Sequence, residues 1–330
     1  MQVTVLGAGS WGTTVASLVA GRNATMLWAR SAEVAAEIDG NHTNEGYLPG
    51  FTLPEQLVAT DDLEKAVRHA ELLIIGVPTS GVRSTMALVK EWVHPWIPIV
   101  SLSKGLEQDT LLRMTEVIAD EVPGHPVAAL SGPNIAREIM AGQAAASVIA
   151  TEDLAVATAI QRVLTRGGFR IYTNHDVVGC ELGGALKNVV AIACGIAQGL
   201  GVGDNTRAAV MTRGLAELSR LGVAMGGEAA TFAGLAGLGD LITTCISPHS
   251  RNRHVGEQLG LGRSLDEIIS EMSMVAEGVK TAVTARQLAA RHDVPMPVCD
   301  EIYAVVAGQK SAANAYRGLR TRPGHEMDPG

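Results

Sequence analysis

The stretch from Gln2 to Ala20 constrains this chain more than any other. A short apolar, β-branched run, Gln2 to Leu6, leads directly into Gly7-Ala8-Gly9-Ser10-Trp11-Gly12, and an apolar helical run, Thr13 to Ala20, follows without a break. This order predicts a strand, a tight turn and a helix. The first glycine permits the turn, the second lets the backbone approach an anion, and the third allows the helix to pack closely on the strand. Amide groups at the start of such a helix suit a pyrophosphate. A further strand at Ala24 to Trp28 completes a dinucleotide-binding unit, with Gly7, Gly9 and Gly12 as its cofactor-binding glycines.

The pattern continues through the first half of the chain. Strands are expected at Val58 to Thr60, Leu72 to Val77, Ile97 to Leu102 and Val127 to Leu130, with shorter ones at Ala146 to Ala150 and Arg170 to Thr173. Strands alternating with helical stretches imply an α/β, Rossmann-type domain with a mainly parallel sheet. From about Asp176 the texture changes to long Ala- and Leu-rich segments broken by glycine, which predicts an all-α domain. The glycine clusters at 199–203, 226–227 and 234–239 read as helix ends and turns. The expected division is 1–175 for the dinucleotide-binding domain and 176–320 for a helical substrate domain, with a disordered tail at 321–330.

Composition limits the partners. The 34 acidic and 26 basic residues leave a net charge of −8, which excludes a general polyanion binder, so no nucleic-acid partner is expected. The cysteines Cys180, Cys194, Cys245 and Cys299 form no C-x-x-C pair, and His249 and His254 stand apart from other ligand types, so neither a metal site nor a disulfide framework is implied. The apolar run from Val189 to Leu200 is interrupted by Gln198 and reads as a core helix, too short to span a bilayer. A strand that begins at residue 2 leaves no room for a leader, so a cytoplasmic location is expected.

Several further segments carry chemistry. At the end of the second strand, where an acidic residue would hold a ribose 2′-hydroxyl, the chain has Trp28-Ala29-Arg30. Arg30 suits a 2′-phosphate, so NADP is permitted or favoured; an idle surface arginine is the other reading. Lys104 follows a buried strand at the sheet edge where such folds bind ligands, and Ser131-Gly132-Pro133-Asn134 forms a turn at a second such edge. Each reads equally well as an ordinary strand-to-helix turn. Lys187 lies in an apolar helix, where burial would lower its pKa toward neutrality and suit it to exchange a proton with a carbonyl or alcohol oxygen; snorkelling to water is equally compatible with the pattern. The Gly234 to Asp240 loop could present a carboxylate. Ser250-Arg251-Asn252-Arg253 offers donors for a dianionic phosphate, or is simply a polar helix start.

Taken together, G-A-G-S-W-G at the start, S-K-G-L around Lys104, S-G-P-N-I-A-x-E from Ser131, E-L-x-x-A-L-K-N ending at Asn188, G-L-G-D-L around Asp240, S-R-N from Ser250 and V-A-E-G-V from Val275 resemble the bacterial glycerol-3-phosphate dehydrogenase [NAD(P)+] family. The resemblance spans nearly the whole chain. It implies a Rossmann-type domain followed by a helical domain of the 6-phosphogluconate dehydrogenase-like kind. It also implies hydride transfer between NADP or NAD and a small phosphorylated substrate, dihydroxyacetone phosphate or sn-glycerol 3-phosphate, serving glycerophospholipid synthesis. Lys187 would exchange the proton. Lys104, Gly132, Asn134, Lys187, Asp240, Ser250, Arg251 and Asn252 would contact the substrate, and Ser10, Trp11, Arg30, Lys104, Ala136, Arg251, Val275 and Glu277 the dinucleotide. Asn134 departs from the Ser or Thr common in the family, which places its contact on the backbone amide. No membrane insertion follows, and a homodimer is compatible. The rival readings are a β-hydroxyacid or ketopantoate-type dehydrogenase, which should not need the extra donors at Ser250 and Asn252, and a non-catalytic NADP-binding redox sensor, which should not need Lys187.

Overall fold

The computed structural model describes residues 1–272 and 276–320, the side chains of 318–320 excepted. Val275 and the 321–330 tail therefore lie outside the described residues. The chain divides into two units. One comprises Met1–Lys104 and Leu112–Val177; the other comprises Gly105–Leu111 and the chain from Val178 onward.

The first unit is built on an eight-stranded sheet: β1 (Gln2–Leu6), β2 (Ala24–Trp28), β3 (Leu57–Thr60), β4 (Leu72–Ile75), β5 (Ile99–Ser101), β6 (Val127–Ser131), β7 (Ala145–Ala150) and β8 (Phe169–Asn174). Their order is β3-β2-β1-β4-β5-β6-β7-β8, and every pairing is parallel except β6 with β7. Helices cover both faces, which is why β4 is apolar and buried at every position rather than alternating. The strand order reverses between β1 and β4, and a doubly wound sheet opens its ligand crevice at such a point. The Gly7 turn sits there. Its N–H donates to the Trp28 carbonyl at 2.9 Å, and the Gly76 N–H donates to the Leu6 carbonyl at 2.7 Å.

The named elements of the second unit are all helices among the described residues. Its centre is the helix Val177–Gly199, in which every residue from Gly179 to Ala197 is buried. Around it lie Asp204–Ala224, Asp240–Ile246, Arg251–Gly260, Glu277–Arg291 and Pro297–Val306. Leu106 and Leu111 belong to the same core, so the segment after Lys104 is part of this unit. The central helix corrects the argument from length: at 23 residues it is long and apolar enough to cross a membrane, and the burial of Gly179 to Ala197 inside the protein is what makes it a core helix. The second apolar stretch, Ala229–Ile246, is a composite of short helical pieces, and 39 % of its residues are buried. The Gly234 to Gly239 cluster, expected as a helix end or turn, is itself largely helical. Leu235–Gly239 winds as a π-helix that runs straight into the helix beginning at Asp240.

Candidate active site

In the sheet unit, the Gly7 to Gly12 loop has the shape its glycines require. Gly7 has φ +116°, and a Cβ there would lie 2.7 Å from the carbonyl carbon and oxygen of Gly76. A Cβ on Gly12 would fall 1.9 Å from the Gly7 oxygen, whereas Gly9 faces open space. The first intrahelical bond of Ser10–Ala20 runs from the Thr13 N–H to the Gly9 carbonyl at 2.9 Å. The amides before it thus have no acceptor within the helix, and no acidic side chain occupies its first turn. Open space at Gly9 and amides that have no acceptor within the helix fit a dinucleotide pyrophosphate. Ser10 Oγ donates to the Tyr47 carbonyl, and Trp11 packs edge-on against Phe169 at 6.0 Å between ring centroids. Arg30 follows β2, exposed and with no ion-pair partner among the described residues.

Beyond β5 and β6, Lys104 joins two segments that are far apart in sequence. Its Nζ donates to the Gly132 carbonyl at 2.8 Å and to Asn134 Oδ1 at 2.7 Å. The turn that permits this needs its glycine: Gly132 has φ +127°, and a Cβ would lie 3.0 Å from the Ser147 Cα. Asn134 thus acts through its side chain here, with its amide nitrogen buried and unbonded. Ala136 opens the short helix Ala136–Met140 that follows.

In the helical unit, Lys187 does not snorkel. It is 5 % exposed, and its Nζ donates to Asp240 Oδ1 and, at 2.8 Å, to Thr244 Oγ1. The group facing Lys187 is a carboxylate. Burial disfavours the ammonium charge and Asp240 favours it. Thr244 was not legible as a site residue; it lies one turn after Asp240 and donates its own proton to the Asp240 carbonyl at 2.7 Å. Nearby, the Cys245 thiol is pushed well above its usual pKa by its hydrogen bond with Cys194 and by burial, with Lys187 opposing.

The Ser250 segment is a helix start, not a loop. Ser250 caps Arg251–Gly260 by accepting the Arg253 N–H at 3.2 Å. Asn252 is buried and engaged on both sides: its Nδ2 donates to Asn188 Oδ1 at 2.9 Å, and its Oδ1 accepts the Gly278 N–H at 2.9 Å. It therefore ties the residue after Lys187 to the helix that begins at Glu277. The two arginines differ in role. Arg253 is buried and bonded to the Ser247 carbonyl, Gln198 and Glu257, whereas Arg251 is exposed. Protein crowds the Arg251 guanidinium closely enough that desolvation lowers its pKa, and the Glu277 charge opposes this.

A dinucleotide loop at the reversal point of a parallel sheet, in a chain that also carries a buried lysine–aspartate pair in an all-helical unit, defines a nicotinamide-nucleotide-dependent dehydrogenase. Comparison with known proteins narrows the class. The N-terminal profile of NAD-dependent glycerol-3-phosphate dehydrogenase matches residues 2–157 and its C-terminal profile residues 176–317, and the chain belongs to that family. A Sphingopyxis alaskensis protein named glycerol-3-phosphate dehydrogenase [NAD(P)+] 2 is 54 % identical over 100 % of this chain and 99 % of its own length. A Mycobacterium tuberculosis protein named glycerol-3-phosphate dehydrogenase [NAD(P)+] 1 is 51 % identical over 99 % of this chain and 96 % of its own. The crystal structure of glycerol-3-phosphate dehydrogenase from Coxiella burnetii superposes with a TM-score of 0.93 at 34 % identity, covering 97 % of this chain and 98 % of that one. A ketopantoate reductase from Ralstonia eutropha shares the fold alone, at 17 % identity and a TM-score of 0.61.

Proposed function

We propose that this chain is an NAD(P)-dependent sn-glycerol-3-phosphate dehydrogenase that reduces dihydroxyacetone phosphate. The observation that carries this reading is the Lys187–Asp240–Thr244 cluster, a buried proton-bearing group in a chain of this family. When bound, the nicotinamide cofactor supplies the hydride. Gly7, Gly9, Ser10, Trp11 and Gly12 would hold its pyrophosphate side, Arg30 would serve its adenine ribose, and Ala136, Val275 and Glu277 would complete its contacts.

Lys187 donates a proton from Nζ to the substrate's C2 oxygen as that oxygen gains charge, and takes a proton back in the oxidation direction. Asp240 and Thr244 orient Nζ and hold its charge, so that no reorganisation is needed at the moment of transfer. Arg251 takes the phosphate with a planar pair of donors, aided by the Ser250 hydroxyl and the backbone at Asn252. Lys104, Gly132 and Asn134 are assigned to the same substrate. A homodimer and a cytoplasmic location belong to this reading, to be checked by sedimentation and by cell fractionation.

The test is spectrophotometric. Purified protein with NADPH should oxidise it rapidly on addition of dihydroxyacetone phosphate and hardly at all with unphosphorylated dihydroxyacetone. Equal rates with both would remove the phosphate from the proposal.

A further inference from the structure

Gly183 lies one turn before Lys187 on the Val177–Gly199 helix, at a point where the chain comes so close that no side chain fits. A Cβ at Gly183 would lie 2.6 Å from the Ala236 carbonyl oxygen, 3.2 Å from its carbon and 3.4 Å from the Gly237 Cα. Those atoms belong to the π-helix Leu235–Gly239, in which the Gly239 N–H donates back to the Gly234 carbonyl at 3.1 Å. The turn is also tight within itself, where a Cβ at Gly237 would fall 2.2 Å from the Phe232 carbonyl oxygen.

A π turn carries a wider hydrogen-bonded ring than an α turn and so resets the direction in which later side chains point. Here the residues that follow are Asp240 and, one α turn on, Thr244, the two groups that hold Lys187 Nζ. Asp240 has a short side chain, so the position of its backbone decides where its carboxylate sits.

We propose that Gly183 is a positioning residue for proton transfer: through the Ala236 carbonyl it seats the π turn that places Asp240 and Thr244 on Lys187 Nζ. This rests on the reading of Lys187 as the proton-exchanging group. A methyl group at Gly183 must push the Ala236 carbonyl away by about 0.5 to 1 Å, and a misplacement of that size costs on the order of a hundredfold in rate.

The same helix supplies an internal comparison. Gly195 makes a still closer approach to a different partner, its Cβ position lying 2.0 Å from the Arg253 carbonyl oxygen in the helix that begins at Arg251. An alanine at either glycine introduces a methyl group against backbone, but only the one at Gly183 meets the turn that leads to Asp240.

The experiment compares the full-length wild type with Gly183→Ala, Gly195→Ala and Lys187→Met. For each, kcat and KM for dihydroxyacetone phosphate are measured from about pH 6 to 10, normalised per NADPH-binding site by fluorescence titration so that unfolded molecules do not count. Gly183→Ala should lose roughly 30- to 100-fold in kcat with KM within about threefold of wild type, and its kcat–pH profile should move toward acid as Nζ loses its carboxylate. Gly195→Ala should act mainly on KM. A Gly183→Ala enzyme with wild-type kcat and pH profile, or one whose loss falls on KM as in Gly195→Ala, overturns the proposal while Lys187→Met remains inactive. Full turnover by Lys187→Met instead removes the reading beneath it. If Gly183→Ala yields no NADPH-binding protein, Gly237→Ala strains the same turn against Phe232 and is read by the same quantities with the same deciding outcomes.

Discussion

Lys187 and Asp240 form an ion pair whose side chains are only 7 % and 2 % exposed, with Thr244 as a further partner of the lysine. A pair so thoroughly removed from water is held by mutual dependence: neither charge is well accommodated alone.

Asp240→Asn should therefore both destabilise and inactivate. Removing one member of a buried pair costs about 3 to 5 kcal/mol, and the remaining lysine responds by giving up its proton. Its folded-state pKa then lies below its unfolded value, so protonation favours the unfolded chain and the destabilisation grows as pH falls. Thermal unfolding of wild type and mutant between about pH 9 and pH 6 checks this. A gap that does not widen toward pH 6 would contradict it.

Arg251→Ala should weaken substrate binding by roughly 1.5 to 3 kcal/mol, about ten- to a hundredfold in KM, because a charge-assisted contact to phosphate is lost. Arg253→Ala should behave differently. That side chain is spent on Ser247, Gln198 and Glu257, so its loss should lower the melting temperature first. Steady-state kinetics on the two variants separates the roles, and an unchanged KM in Arg251→Ala would take it out of the site.

Arg30→Asp tests cofactor choice. An aspartate there repels a 2′-phosphate and accepts from a ribose 2′-hydroxyl, so the ratio of kcat/KM for NADPH over NADH should fall by at least tenfold, about 1.4 kcal/mol. A constant ratio would return Arg30 to the surface.

Glu217 offers a stability prediction outside the site. Fully buried in Asp204–Ala224, it accepts the N–H groups of Val298 at 2.7 Å and Cys299 at 3.1 Å, and so caps the helix Pro297–Val306 from another element. Burial pushes its pKa up to about 7, against the lowering effect of those two N–H groups and of Arg220. A carboxyl raised above its unfolded value binds protons more tightly when folded. Its contribution to stability is thus greatest below about pH 4.5 and declines as pH rises to about 7, by up to about 3 kcal/mol. Glu217→Gln, which keeps an acceptor but cannot ionise, should flatten that decline in urea unfolding across the same range. An unaltered slope would mean that Glu217 is not its source.

Much of this was legible in the sequence because its physics is local. All eight strands stand within a few residues of their expected places, since β-branched runs bounded by glycine or polar turns leave little choice. The Gly7 loop was readable for the same reason. What escaped depended on the third dimension. Leu235–Gly239 reads as a helix end or turn from its composition, whereas the structure shows a π-helix packed against Gly183. Thr244 is one of two adjacent threonines in an apolar helix; its spacing of four from Asp240 was the available signal. The Asn252 bond to Asn188 spans 64 residues, and no pattern along the chain marks it.

The central claim is that Lys187 supplies the proton. Lys187→Met keeps the length and apolar packing of the side chain but removes the acid, and its kcat with dihydroxyacetone phosphate and NADPH is the measurement that decides. The account predicts a loss of roughly 10² to 10⁴ in kcat, with NADPH affinity near wild type by fluorescence titration because the Gly7 to Gly12 loop belongs to the other unit. A folded, NADPH-binding Lys187→Met protein that turns over near the wild-type rate would contradict it.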